Sequence, residues 1–123
     1  MDIDKKINQI NIELNLKKFD EVISECKKLI KKEPNISILY NIYGLALQGK
    51  KEHKDSFNFF SKAIEINKND FAPKINLANS YMYLNDFKNA EKLFQSLLIE
   101  QPEDYILIAN YANFKRKVKD FKS

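Results

Sequence analysis

The sequence repeats itself every 34 residues. Displaced by that interval, the stretch Phe71 to Asp104 lands on earlier and later parts of the chain with matching side chains. Ala78 falls on Gly44, Phe94 on Phe60 and Leu97 on Ala63. One step further back, Phe87 falls on Phe19, Leu97 on Leu29 and Pro102 on Pro34. Forward, Leu77-Ala78 falls on Tyr111-Ala112, and Asp86-Phe87-Lys88 on Asp120-Phe121-Lys122. Within one period, apolar residues recur at spacings of three and four: Leu77, Ala78 and Tyr81, then Ala90, Phe94 and Leu97. The break Leu84-Asn85-Asp86 separates the two stripes. Such spacing gathers side chains on one face of an α-helix. Each unit is therefore predicted to be two helices joined by a short turn, and it can bury its apolar face only by stacking on its neighbours.

Four units follow from this register: 3–36, 37–70, 71–104 and a partial one at 105–123. Together they make a single domain over 1–123, the size one domain of ordinary composition takes. Two glycines and three prolines are few, which suits helices with short turns. No stretch calls for a sheet, so the fold class is all-α. In unit one, Ile3, Ile7, Ile10 and Leu14 form the stripe of the first helix; Val22, Cys26, Leu29 and Ile30 form that of the second, over Phe19 to about Lys32. Pro34 ends this helix, and Asn35 is expected to cap the next. Tyr40, Tyr43, Gly44 and Leu47, then Ser56, Phe60 and Ala63, are the expected core of unit two. Unit four is expected to hold one helix, about Tyr105 to Lys117, with Asp120-Phe121-Lys122 opening another. On this ground the sequence reads as a piece of a longer chain.

A period of 34 with helix-turn-helix units resembles the tetratricopeptide repeat family, from Ile3 to the last residue. The resemblance implies a right-handed solenoid of antiparallel helix pairs, three full repeats plus one extra helix. It also explains a glycine in mid-helix, where glycine costs about 1 kcal/mol against alanine. In the family this is where the two helices of one repeat touch most closely. Gly44, Ala78 and Ala112 hold that place, while Ile10 departs. Gln9 and Glu13 stand where unit two has Tyr43 and Leu47, which fits an end helix with one side in water. Lys68 replaces the expected proline, so that corner is expected to be looser than those at Pro34 and Pro102.

The chemistry available is sparse. His53 is the only histidine and Cys26 the only cysteine. His53 aligns with Phe19, Phe87 and Phe121 and is expected to pack at a turn; Cys26 aligns with Phe60 and Phe94 and is expected to act as a small hydrophobe. One of each builds neither a catalytic triad nor a zinc site, and there is no glycine-rich phosphate loop. The chain is therefore read as no enzyme, with no cofactor and no metal. The acidic start Met1-Asp2-Ile3-Asp4 has no apolar run behind it. The longest uncharged run, Pro34 to Gly49, is shorter than the roughly 20 apolar residues of a spanning helix. A cytoplasmic protein without a membrane partner is the expectation, and a single cysteine agrees with a reducing compartment.

Asparagine is the distinctive residue. Asn8 and Asn11, Asn76 and Asn79, and Asn110 and Asn113 occupy the same two places of units one, three and four. Unit two has Ile42 and Leu45 there, with Asn41 adjacent. Six of eight places hold asparagine, against about one expected from 14 in 123 residues. In the family the first helices line the concave face of the superhelix, so these seven asparagines form a candidate peptide-binding groove. An amide can donate to a peptide carbonyl and accept from a peptide N–H. The row resembles the asparagine ladder of O-linked N-acetylglucosamine transferase superhelices. Chaperone-binding members instead clamp a C-terminal carboxylate. Here Asn11 and Asn76 match that clamp, but Ile7, Ile42 and Ala72 stand where it needs Lys, Asn and Lys.

The leading reading is a noncatalytic protein-interaction scaffold that binds an extended peptide. One alternative is a substrate-docking arm of a larger enzyme such as a glycosyltransferase. The other is a nucleic-acid binder, through Lys115-Arg116-Lys117 with Tyr111 and Phe114. A net charge of only +4, spread along the chain, disfavours nucleic acid. The apolar side of the last helix lacks a following helix to cover it, so self-association through the C-terminal end, as a two-fold homodimer, is also expected.

Overall fold

The computed structural model describes residues 2–122, which hold seven α-helices and no strand. They are α1 (Ile3–Asn15), α2 (Phe19–Lys32), α3 (Ser37–Gly49), α4 (His53–Ile66), α5 (Ala72–Tyr83), α6 (Phe87–Glu100) and α7 (Tyr105–Lys122). Each helix packs on the next in the chain. In addition α1 touches α3, α3 touches α5 and α5 touches α7, whereas α2, α4 and α6 make no contacts with one another. The odd helices thus lie closer together than the even ones. The stack curves toward the odd row, which becomes the inner, concave face.

The three turns between paired helices share one construction. Lys17, Lys51 and Asn85, spaced by the repeat, take left-handed backbone at φ 61°, 65° and 61°. The amide after each reaches back to the last helical turn: Lys18 to Glu13 O at 3.0 Å, Glu52 to Leu47 O at 2.9 Å and Asp86 to Tyr81 O at 2.9 Å. These bonds satisfy carbonyls that a helix end otherwise leaves unpaired.

The same place in unit four, Lys119, behaves differently. The expected break after Lys117 is absent, and α7 runs without interruption to Lys122. Continuing as helix keeps its backbone bonds and carries Phe121 onto Phe87, ring edge to face at 4.9 Å. Asn35 is also not the cap of α3. Ile36 takes that position without a side-chain bond and packs against the core, while the Ser37 hydroxyl donates to Ala63 O across the corner at 2.9 Å. The corner at Lys68 closes through Asn67, whose side chain accepts from the Asn69 amide at 3.1 Å.

Two clusters make the core, one around Ile10, Val22, Cys26, Leu39 and Ile42, the other around Ala78, Met82, Phe94, Leu107 and Phe114. Gly44 meets the Phe60 ring so closely that an added Cβ would lie 2.5 Å from Cε1. The close approach expected at this place is therefore real. Ala78 and Phe94 make the same small-on-large crossing in unit three, and both are fully buried. Unit one inverts it: Ile10 is the large partner and Cys26 the small one, both in one cluster. Ile10 departs from the pattern because Cys26 leaves it room. Burial, and secondarily the charge of Glu25, pushes the Cys26 thiol up to about 12, so it is an inert packing group. At the N-terminal end Gln9 is exposed and Glu13 half-buried, lining a trough with Lys6, Ile10, Glu21 and Glu25. This end faces water, as its sequence indicates.

Candidate functional site

The inner face is built by α1, α3, α5 and α7, and the asparagines lie along it in pairs joined across helices. Asn76 on α5 donates through Nδ2 to Asn41 Oδ1 on α3 at 2.9 Å. Asn79, one turn along α5, donates to Asn110 Oδ1 on α7 at 3.0 Å. Asn110 in turn donates to the Ile106 carbonyl at 2.8 Å. Asn113 sits one turn further along α7 and accepts from Arg116 at 3.4 Å. Asn8 and Asn11 lie on α1, exposed and half-buried, apart from these pairs. Three odd helices are therefore tied by amide–amide bonds, a use of asparagine that the repeat spacing alone did not indicate.

These bonds leave part of each amide unused. Asn41 gives its oxygen to Asn76 and keeps its NH₂; Asn76 gives one N–H and keeps its oxygen. Asn79 is 9% exposed, and its Oδ1 is shut off from solvent without a hydrogen-bond partner. An unpartnered buried acceptor costs free energy. The face can accept and donate to a backbone laid across it.

One residue absent from the sequence-based candidates, Tyr83, shapes one end of the face. Tyr83, at the end of α5, is exposed and stacks on His53 with centroids 4.6 Å apart and planes 13° from parallel. The Lys117 ammonium on α7 also lies over the tyrosine ring, 5.8 Å from its centroid. Burial, then the charges of Lys117 and Lys51, hold His53 below its ordinary 6.5. Tyr83 and Lys117, with Asn113 and Arg116, border an open cavity of about 610 Å³. His53 packs at a turn, in line with its alignment to phenylalanines.

The carboxylate-clamp places are apolar here. Ile7 and Ile42 are buried in the core, and Ala72 is exposed on the first turn of α5. The basic-aromatic patch is not one surface either. Phe114 is buried, and Tyr111 donates its hydroxyl to Glu91 at 2.9 Å. Lys115 binds the same Glu91 at 3.2 Å, while Arg116 and Lys117 project to the inner face. Among the described residues no group of three His, Cys, Asp or Glu side chains could hold a metal ion, and no helix is long and apolar enough to cross a membrane.

A sequence profile of the tetratricopeptide repeat matches residues 38–70. No match to a curated protein was found. Among solved structures, the first tetratricopeptide domain of Spaghetti (RPAP3), bound to the HSP90 peptide SRMEEVD, superposes with a TM-score of 0.80 at 16% identity, covering 94% of this chain and 90% of that one. The second such domain of human RPAP3, in complex with the HSP70 peptide SGPTIEEVD, gives 0.77 at 13% identity, covering 88% and 90%. The Sgt2 domain from Aspergillus fumigatus gives 0.81 at 14% identity, covering 97% and 80%. At these identities the likeness is one of fold.

Proposed function

We propose that this chain, a tetratricopeptide-repeat protein by its repeat sequence and its fold, is a noncatalytic scaffold that holds an extended peptide along the odd-helix face. The observation that carries the reading is the row of amides on that face, paired across α3, α5 and α7 with donors and acceptors to spare. Two of the similar domains were solved with acidic chaperone tails, SRMEEVD and SGPTIEEVD. Side-chain chemistry argues for a different ligand here. An acidic tail needs lysines, and Ile7, Ile42 and Ala72 supply no charge. The inner face offers neutral amides over most of its length, with cations at the α7 end alone. The favoured ligand is a weakly charged extended segment bound through its backbone. The same groove would serve a free cytoplasmic adaptor or the docking arm of a larger enzyme.

The test uses fluorescence anisotropy with synthetic extended peptides. Uncharged peptides should bind, and SRMEEVD should bind no better than its scrambled control. Replacing Asn76 and Asn79 together by alanine should leave the circular dichroism helical and weaken binding by about 0.5–1.5 kcal/mol per lost hydrogen bond. Binding should depend weakly on salt, whereas nucleic-acid binding would fall steeply. Unchanged affinity in the double variant, or strong binding of SRMEEVD that requires its terminal carboxylate, would overturn the proposal.

A further inference from the structure

In the three complete pairs the even helix covers the odd helix before it: α2 on α1, α4 on α3, α6 on α5. α7 contacts only α5 and α6. Beside it runs an open trough of about 430 Å³ between α6 and α7. Its floor is Phe87, Phe114 and Val118. The Phe87 and Phe114 rings lie 6.3 Å apart, and Phe121, which lines the Tyr83 cavity, meets Phe87 edge to face from that side.

The rim is cationic: Lys88 on the α6 side, Lys119 and Lys122 on the α7 side. Lys115 and the one carboxylate present, Glu91, are bonded to each other, so the charge left over is positive. Asn113, Arg116 and Lys117 point to the other side of α7, around the Tyr83 cavity. The trough is therefore a second surface, independent of the amide row.

We propose that this trough receives an acidic amphipathic helix from a partner protein. A cleft between two helices fits a third, whose apolar stripe fills a floor of phenylalanine and valine. Glutamates or aspartates flanking that stripe would meet the lysine rim, a complementarity that sets both encounter and orientation. A second copy fits less well. Two C-terminal ends brought together would set one lysine rim against another. The N-terminal end of another copy carries acids, Glu13, Asp20, Glu21 and Glu25, but the one apolar residue lining its trough, Ile10, is recessed at 2% exposure, so no apolar ridge stands out to fill the floor.

The probe is a synthetic helical peptide with leucines at i, i+4 and i+7 and glutamates on both flanks. Its control has lysines in place of the glutamates. Titration calorimetry against the whole chain should show binding of the acidic peptide alone. NMR perturbations should centre on Phe87, Phe114 and Val118. Changing Lys119 and Lys122 to glutamate, or Val118→Asp, should weaken binding by about tenfold or more. Asn76→Ala should leave it unaltered. Both lysines are exposed, so the double variant should fold, and circular dichroism checks this. The proposal is overturned if the acidic peptide does not bind, if the lysine peptide binds equally, or if charge reversal has no effect. It is also overturned if light scattering shows a dimer that Val118→Asp dissolves, or if a single-stranded oligonucleotide takes the trough with the same lysine dependence.

Discussion

At the scale of single residues, the crossings between paired helices decide what the core tolerates. Gly44 faces the Phe60 ring with no space for a Cβ, so Gly44→Leu should lower stability by about 1–3 kcal/mol in urea unfolding. Unit one poses the inverse case. Cys26→Phe alone should overpack against Ile10 by a similar amount, and adding Ile10→Ala should recover much of the loss. Additive effects of the two changes would show that these side chains do not share one space. His53 predicts a pH dependence. Its folded state holds the ring below the ordinary 6.5. Below about pH 6.5 the unfolded chain takes up a proton that the folded chain resists, so stability falls as the pH drops through that window. Phe stands at the matching places Phe19, Phe87 and Phe121. His53→Phe should therefore fold normally and flatten the stability profile between pH 5 and 7. A profile as steep as that of the parent would exclude His53 as its source.

At the scale of helices, the turns show how far local sequence reaches. Lys17, Lys51 and Lys119 are the same residue in the same register, yet two end helices in left-handed backbone and the third continues one. Glycine distinguishes the cases. Lys51→Gly removes side-chain strain of about 1 kcal/mol and should stabilise, whereas Lys119→Gly should destabilise by a comparable amount. Equal signs in denaturant midpoints would contradict the two conformations. The period and the apolar stripes were enough to place six helices, because both are set within one unit, and the buried faces of all but α5, where Leu77 and Tyr81 are half-buried and Ile75 and Met82 take the core. The course of α7 was not legible, since it depends on Phe121 reaching Phe87. The amide pairs were hidden for a related reason. They join residues 35 and 31 apart rather than 34, so the tilt between neighbouring helices chooses the partners. Ile36 as the cap of α3 likewise follows from core packing, which outweighs the usual preference for a polar cap.

At the scale of the whole molecule, stability is a sum over neighbours. α3 buries eight of its 13 residues and packs on helices to both sides. α7 buries two of 18 and is covered on one side. Hydrogen exchange should therefore be slowest in α3 and α4 and fastest toward the end of α7. Uniform protection along the chain would mean that it opens as one unit. The missing contacts among α2, α4 and α6 have a mechanical consequence. With touching helices along its inner edge alone, the stack is backed on one side and open on the other. Tension applied to its two ends should straighten it as a spring straightens, with helices intact and only their tilts changed, before any unit comes apart.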